Sequence, residues 1–156
     1  MAALKIITLN AGNSLLLGGL LSIIRLENPD IVLLQEITVT TGQLQLFVAK
    51  LGYSAQANTD ILDITRLGTG IIWKSELPLS EVTSVVDCRA QLAKLGPYHI
   101  LNVYAPSGSN NRTARRKFFG QDIFRLVRGT NTSTYPLIIG DFNSVLSPLD
   151  TEKKLC

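Results

Sequence analysis

The chain of 156 residues has the size of one domain and is long enough to bury a substantial core. Its 46% hydrophobic and 17% charged residues exclude a disordered polyelectrolyte, and its net charge of +3 permits a polyanionic partner without requiring one. Two cysteines, Cys88 and Cys156, are too few for a disulfide framework and point to a reducing compartment.

Leu4 to Leu9 is short, apolar and rich in β-branched residues, and predicts a strand. Asn13 or Ser14 is suited to cap a following helix with Leu17, Leu20, Leu21 and Ile24 on one face, ended by Asn28-Pro29. That stretch is interrupted by Gly18, Gly19 and Ser22 and is too short to span a bilayer, so a buried helix is expected and neither a signal peptide nor a membrane partner. A nuclear or cytoplasmic location follows from that expectation. The sequons Asn111-Arg112-Thr113 and Asn131-Thr132-Ser133 would matter only in a secreted chain.

Ile31 to Leu34 is a continuous apolar run, as in a strand covered on both faces. Thr40 or Thr41 can cap a second helix whose core stripe is Leu44, Phe47, Val48 and Leu51, stopped by Gly52. From Tyr53 to Val86 the signals are short strands and turns, clearest at Gly70 to Trp73, with a break at Pro78. Ile100 to Val103 predicts another strand. A basic helix follows, with Phe119, Ile123, Leu126 and Val127 inward, Arg115, Arg116 and Lys117 outward, and Gly129 at its close. Leu137 to Ile139 is the last clear strand. Strands alternate with helices, so the class is α/β or α+β, without repeats or linkers.

Four apolar runs end abruptly in residues suited to metal or phosphate chemistry. Leu9 is followed by Asn10, Leu34 by Gln35-Glu36, Val103 by Tyr104, and Ile139 by Gly140-Asp141-Phe142-Asn143. Strand ends hold side chains rigidly while leaving them access to a cleft. A hard divalent cation needs oxygen ligands, and Glu36 is the best carboxylate for it. Asp141 could orient an attacking water, while Asn10, Tyr104 and Asn143 could bond phosphate oxygens or hold their neighbours. Each residue also has a plainer reading. Glu36 alone is a solvated strand end, Tyr104 a turn tyrosine, and Asn10, Asp141 and Asn143 are common turn formers. The cationic stretch Arg112 to Arg128 reads equally as a solvated helix face or as a nucleic-acid contact through Arg112, Arg115, Arg116 and Lys117.

Taken in order, Ile6-Ile7-Thr8-Leu9-Asn10, Asp30 to Glu36, Leu101-Asn102-Val103-Tyr104-Ala105-Pro106 and Gly140-Asp141-Phe142-Asn143 resemble the endonuclease/exonuclease/phosphatase superfamily. Asn-Val-Tyr-Ala-Pro, and Gly-Asp-Phe-Asn followed by Leu146-Ser147-Pro148-Leu149-Asp150, look most like the apurinic-type endonuclease domain of non-LTR (LINE-type) retrotransposons. The similarity runs from about Leu4 to Asp150. It implies one α/β (α+β) domain over residues 1–156, a two-sheet sandwich flanked by helices, and nicking of DNA with Mg²⁺ or, alternatively, Mn²⁺. By matching motif, Glu36 would bind the metal with Asn10 nearby. Asp141 and Asn143 would engage the nucleophile and scissile phosphate, and Tyr104 would contact phosphate or support that network.

The chain departs from the family pattern twice. The turn after Asn10 looks shortened, at Ala11-Gly12-Asn13. The family's later Asp and final Ser-Asp-His strand have no match after Asp150, and His99 fits no catalytic position and reads as structural or exposed. The resemblance therefore implies a C-terminally incomplete domain, weakly active, inactive or poorly folded by itself, whose parent would supply the remaining segment and a downstream reverse transcriptase. Two other functions stay open: a non-catalytic remnant binding nucleic acid or protein through the basic helix, and a phosphatase acting on a small phosphate ester.

Overall fold

The computed structural model describes residues 3–12, 17–60, 62–63, 65–129 and 136–144. The helix caps expected at Asn13 or Ser14, the sequon at Asn131, Cys156 and the Leu146 to Asp150 segment lie outside them. Eight strands among the described residues form two four-stranded sheets. The first holds β1 (Ile6–Asn10), β2 (Ile31–Ile37), β3 (Tyr53–Asn58) and β4 (Gly68–Lys74), in the order β1-β2-β4-β3. The second holds β5 (Leu79–Val85), β6 (Ala90–Leu95), β7 (Tyr98–Tyr104) and β8 (Leu137–Asp141), in sequence order. The outer pairs β1–β2 and β7–β8 are parallel and the rest antiparallel.

Helices cover both outer faces. α1 (Leu17–Glu27) and α2 (Thr41–Val48) lie on the first sheet, where Leu20, Ile24, Leu44 and Val48 pack on Val32, Leu34, Ile37 and Ile72. Of the two threonines expected to cap α2, Thr40 does so, in a reciprocal capping box with Gln43 that satisfies two free N–H groups. Gly52, at φ 80°, ends the segment. The second sheet is covered by α3 (Arg112–Lys117), a π-helical turn over Phe118–Ile123, and α4 (Phe124–Gly129). The wider turn shifts the buried face, so Phe118 is fully buried while the expected Phe119 packs at the margin. Among the described residues no helix is long and apolar enough to cross a membrane.

Between the sheets, alternation of side chains decides which residues meet. At one end this inner layer is apolar, with Ile31, Leu33, Ile71, Ala93 and Ile100 fully buried beside Ile6, Trp73 and Ile139. Towards the other end the same alternation brings in Gln35, Thr69, Gln91 and Asn102, all buried and all polar. Asn102 on β7 donates to the carbonyls of Leu34 and Gly70, both at 3.0 Å, and accepts from Gln35 Nε2 at 2.8 Å. Gln35 also reaches the Thr8 hydroxyl at 3.1 Å, so four strands from both sheets are tied by two amides. At the apolar end Asp30 accepts from the Lys5 backbone N–H at 2.8 Å and from Lys74 Nζ at 3.0 Å, fixing where β1 and β2 begin.

Removing one partner from such a buried pair strands the other. Asn102→Leu is expected to lower stability by about 2–4 kcal/mol, and Gln35→Met added to it should cost less than the sum of the two single changes. Urea unfolding measures both; a loss under about 0.5 kcal/mol for Asn102→Leu would mean that the amides do not tie the sheets.

Candidate active site

The polar end of the inner layer opens at the C-terminal ends of the parallel strands. Asn10 pairs with Gln35 in one sheet and Tyr104 with Asp141 in the other, so these residues finish their strands on the same side of the sandwich. The two sheets are joined there directly: Asn10 Nδ2 donates to Asp141 Oδ2 at 2.8 Å. Each of these two side chains also closes its own turn. Asn10 Oδ1 accepts from Gly12 N at 2.9 Å, and Asp141 Oδ1 from Asn143 N at 2.9 Å. The turn-forming role of such residues and a shared site are thus compatible. Asn143, left-handed at φ 45°, returns its side chain to Ala105 O at 2.7 Å, which locks the Gly-Asp-Phe-Asn loop onto the end of β7. Gly140 is required by close approach: at φ 143°, a Cβ there would lie 2.0 Å from Val103 O.

Glu36 reaches this end by a different device. Strict alternation would turn it towards the helices, since Gln35 faces inward. Instead Gln35 and Ile37 pair with the adjacent residues Thr69 and Gly68, so Glu36 is one residue too many on β2 and forms a bulge. Gln35 stays between the sheets, Ile37 takes the helix-facing place beside Leu34, and Glu36 is displaced with φ 58°. A left-handed non-glycine residue costs about 1–2 kcal/mol.

Tyr104 completes the cluster. Burial pushes its phenol above the ordinary value, the negative charge of Glu36 adds to the shift, and Arg89 opposes it, so the hydroxyl is a hydrogen donor at neutral pH. Arg89, which the sequence offered no reason to single out, lies over the Tyr104 ring at 4.9 Å. Its only signal was its place one residue before a weakly patterned strand, β6.

The basic helix divides. Arg112 and Arg116 are exposed beside an open groove of about 1110 Å³ that also borders Asp141, Phe142 and Asn143, with Phe142 stacked on Phe119 at 5.7 Å. Arg115 borders the same groove, but its guanidinium is engaged by the carbonyls of Pro106 at 2.9 Å and Gly108 at 2.7 Å. Lys117 lines a separate groove with His99 and Asp122. His99 sits five residues back along β7 from Tyr104, roughly 16 Å from the cluster.

Because glycine accepts a left-handed conformation freely, Glu36→Gly is expected to be more stable than Glu36→Ala by about 1 kcal/mol, although both remove the carboxylate. Urea midpoints compare them. Equal stability, or a more stable alanine variant, would show that the bulge is unstrained.

Known proteins share this fold. No curated protein matches the chain. Among solved structures, an AP endonuclease from Archaeoglobus fulgidus superposes with a TM-score of 0.72 at 20% identity, over 95% of this chain and 60% of that one. The 3′ phosphatase NExo from Neisseria, bound to product DNA hairpin, gives 0.68 at 20% identity over 95% and 61%. D. rerio TDP2, complexed with single-strand DNA product, gives 0.64 at 19% identity over 93% and 62%. These likenesses establish the fold, and the chain spans about three fifths of each of these structures. A model of the Endonuclease/Exonuclease/phosphatase family matches residues 7–156. Since that match takes in nearly the whole chain and all four strand ends that meet in the cluster, the chain belongs to the Endonuclease/Exonuclease/phosphatase family.

Proposed function

We propose that the chain is a divalent-metal-dependent phosphodiesterase domain that nicks DNA, of the kind found in non-LTR (LINE-type) retrotransposons. Its family is one of hydrolases acting on phosphate esters. The observation that carries the reading is the 2.8 Å bond between Asn10 and Asp141, which ties the active ends of two separate sheets beside Glu36.

The donor set suits a hard cation. Among the described residues no three His, Cys, Asp or Glu side chains gather into a metal cage. Mg²⁺ rarely uses one; it keeps several waters and takes one or two carboxylates plus phosphate oxygens. Glu36 would supply the carboxylate and Asn10 its amide oxygen, which keeps a lone pair beyond the bond from Gly12. A divalent ion held there, Mg²⁺ or Mn²⁺, would offset charge on the phosphate and on the departing oxygen. Asp141 would orient the attacking water and receive its proton, since His99 is too far along β7 to do so. The Tyr104 phenol would donate to a phosphate oxygen, as would the second N–H of the Asn143 amide.

DNA as substrate is supported by two of the matched structures, which hold DNA product, and by Arg112 and Arg116 beside Asp141. The retrotransposon setting is supported by Asn-Val-Tyr-Ala-Pro and Gly-Asp-Phe-Asn; in such a parent protein the nick would prime a reverse transcriptase. The exposed arginines also favour a second reading, a non-catalytic module that binds nucleic acid through this groove.

With supercoiled plasmid, Mg²⁺ or Mn²⁺ should support nicking that EDTA abolishes, and Glu36→Gln or Asp141→Asn should reduce it by about 100-fold or more. Nicking undiminished by Glu36→Gln would remove that residue from the metal site. Salt-sensitive binding without nicking, lost when Arg112 and Arg116 become Ala, would favour the second reading.

A further inference from the structure

The groove that Lys117 shares with His99 lies on the outer face of the second sheet, away from the cluster between the sheets. It has a volume of about 970 Å³ and runs between strands β5 to β7 and the helical segment that carries the basic residues. Side-chain alternation puts Leu92 and Lys94 of β6 on this face, with His99 of β7 paired to Lys94. Val85, Val86, Leu92 and Leu126 make a half-buried apolar floor, and the rim is charged.

The π-helical turn shapes one wall. An α-helix advances about 100° per residue, so Lys117 and Arg125, eight residues apart, would diverge by about 80°. The wider turn over Phe118–Ile123 winds less per residue and returns both cations to one groove, with Asp122 between them in sequence. Part of the rim is already neutralised: Lys94 holds Glu81 at 3.2 Å, and Arg66 holds Asp87 at 3.4 Å. Lys117, Arg125 and Asp122 form no ion pair among the described residues. His99 Nδ1 is buried without a hydrogen-bond partner among them, which is uncommon because such a nitrogen forgoes the bond that water would give it.

Two unmatched cations above an apolar floor suit a chain segment that carries carboxylates beside apolar side chains, and its polar groups can meet His99. A charged rim around an apolar centre is the usual build of a protein interface. A nucleic-acid backbone fits less well, since phosphates make no use of the floor and Glu81, Asp87 and Asp122 repel them.

We propose that this groove is a docking site for a partner protein, which it takes through an acidic segment bearing apolar residues. The cleft of the cluster stays free, because the groove lies on the other face of the second sheet. The proposal holds whichever phosphate ester the cluster takes.

The test uses the whole chain and a displayed library of random dodecapeptides. A selected peptide is synthesised and titrated while the imidazole C–H signal of His99, the sole histidine of the chain, is followed by NMR. Selected peptides should carry Asp or Glu beside apolar residues and should move the His99 signal. Reversing both rim cations, Lys117→Glu with Arg125→Glu, should weaken binding by about 10-fold or more. A peptide with its acidic residues replaced by lysine should then bind the reversed variant, which separates lost charge from lost folding. The proposal fails if acidic peptides are not enriched, if they bind the reversed variant equally well, or if the His99 signal stays still. A DNA duplex that displaces the peptide and moves the signal in EDTA would overturn it in favour of a nucleic-acid surface.

Discussion

The buried pair of amides, Gln35 and Asn102, is the constraint on which the site depends. Apolar contacts between two sheets are non-directional and tolerate sliding. An amide that must find partners for both its oxygen and its nitrogen does not, because each unmet group in the interior carries a penalty of about 1–3 kcal/mol. Asn102 meets its requirement with two carbonyls of the opposite sheet and with Gln35, so one arrangement of the sheets satisfies everything. Once the sheets are fixed there, Asn10 and Asp141 finish their strands close enough to share a hydrogen bond. The cluster is therefore placed by the interior rather than by its own loops.

The inner layer changes character along its length, and that gradient explains where strain collects. The apolar end is shut by Ile31, Leu33 and Ile71, which sit in regular strand conformation. The polar end must present carboxylate, phenol and guanidinium to a cleft, which regular strands alone do not accomplish. Glu36 and Asn143 stand at it and the turn Val86, Asp87 and Cys88 leads to Arg89 over Tyr104; these are five of the seven non-glycine residues with left-handed backbone among those described. Of the other two, Asn28 precedes β2 at the apolar end and Glu81 lies in β5. Strain of this kind endures only where neighbours over-determine it, as the bonds of Asn143 to Asp141 and Ala105 and of the Thr69 hydroxyl to Cys88 O do here.

Much of this was legible in the sequence because it depends on periodicity. The runs Ile31 to Leu34 and Ile100 to Val103 announced buried strands, and the abrupt polar residues at their ends marked the functional side. What escaped has specific physical causes. The strand Ala90 to Leu95 is built from small residues and a buried glutamine, so it lacks an apolar signature. Gln35 reads with Glu36 as a strand end and Asn102 simply as part of the strand Ile100 to Val103, since nothing local shows that their partners come from the other sheet. The bulge at Glu36 is invisible to a two-residue repeat, and the π-helical turn similarly shifted the most buried aromatic from Phe119 to Phe118. Four basic residues read as one patch separate in three dimensions: Arg115 is taken up by loop carbonyls and Lys117 faces another groove.

The resulting charge pattern is more informative than the net charge of +3. A uniformly basic face would attract a polyanion but repel a divalent cation. Here the signs are interleaved over a short span: Glu36 and Asp141 at strand ends, Arg89 over Tyr104, and Arg112 and Arg116 along the groove bordering Asp141. A phosphodiester is the ligand that such a pattern suits, because it carries negative charge on oxygens able to meet a metal on one side and guanidinium groups on the other. A neutral or cationic substrate would leave the arginines unmatched. A binding module without chemistry would gain nothing from carboxylates set among them, since each would weaken its hold on the backbone. The placement of acidic groups inside a basic surround is thus what separates the proposed phosphoesterase site from a surface built for polyanion binding alone.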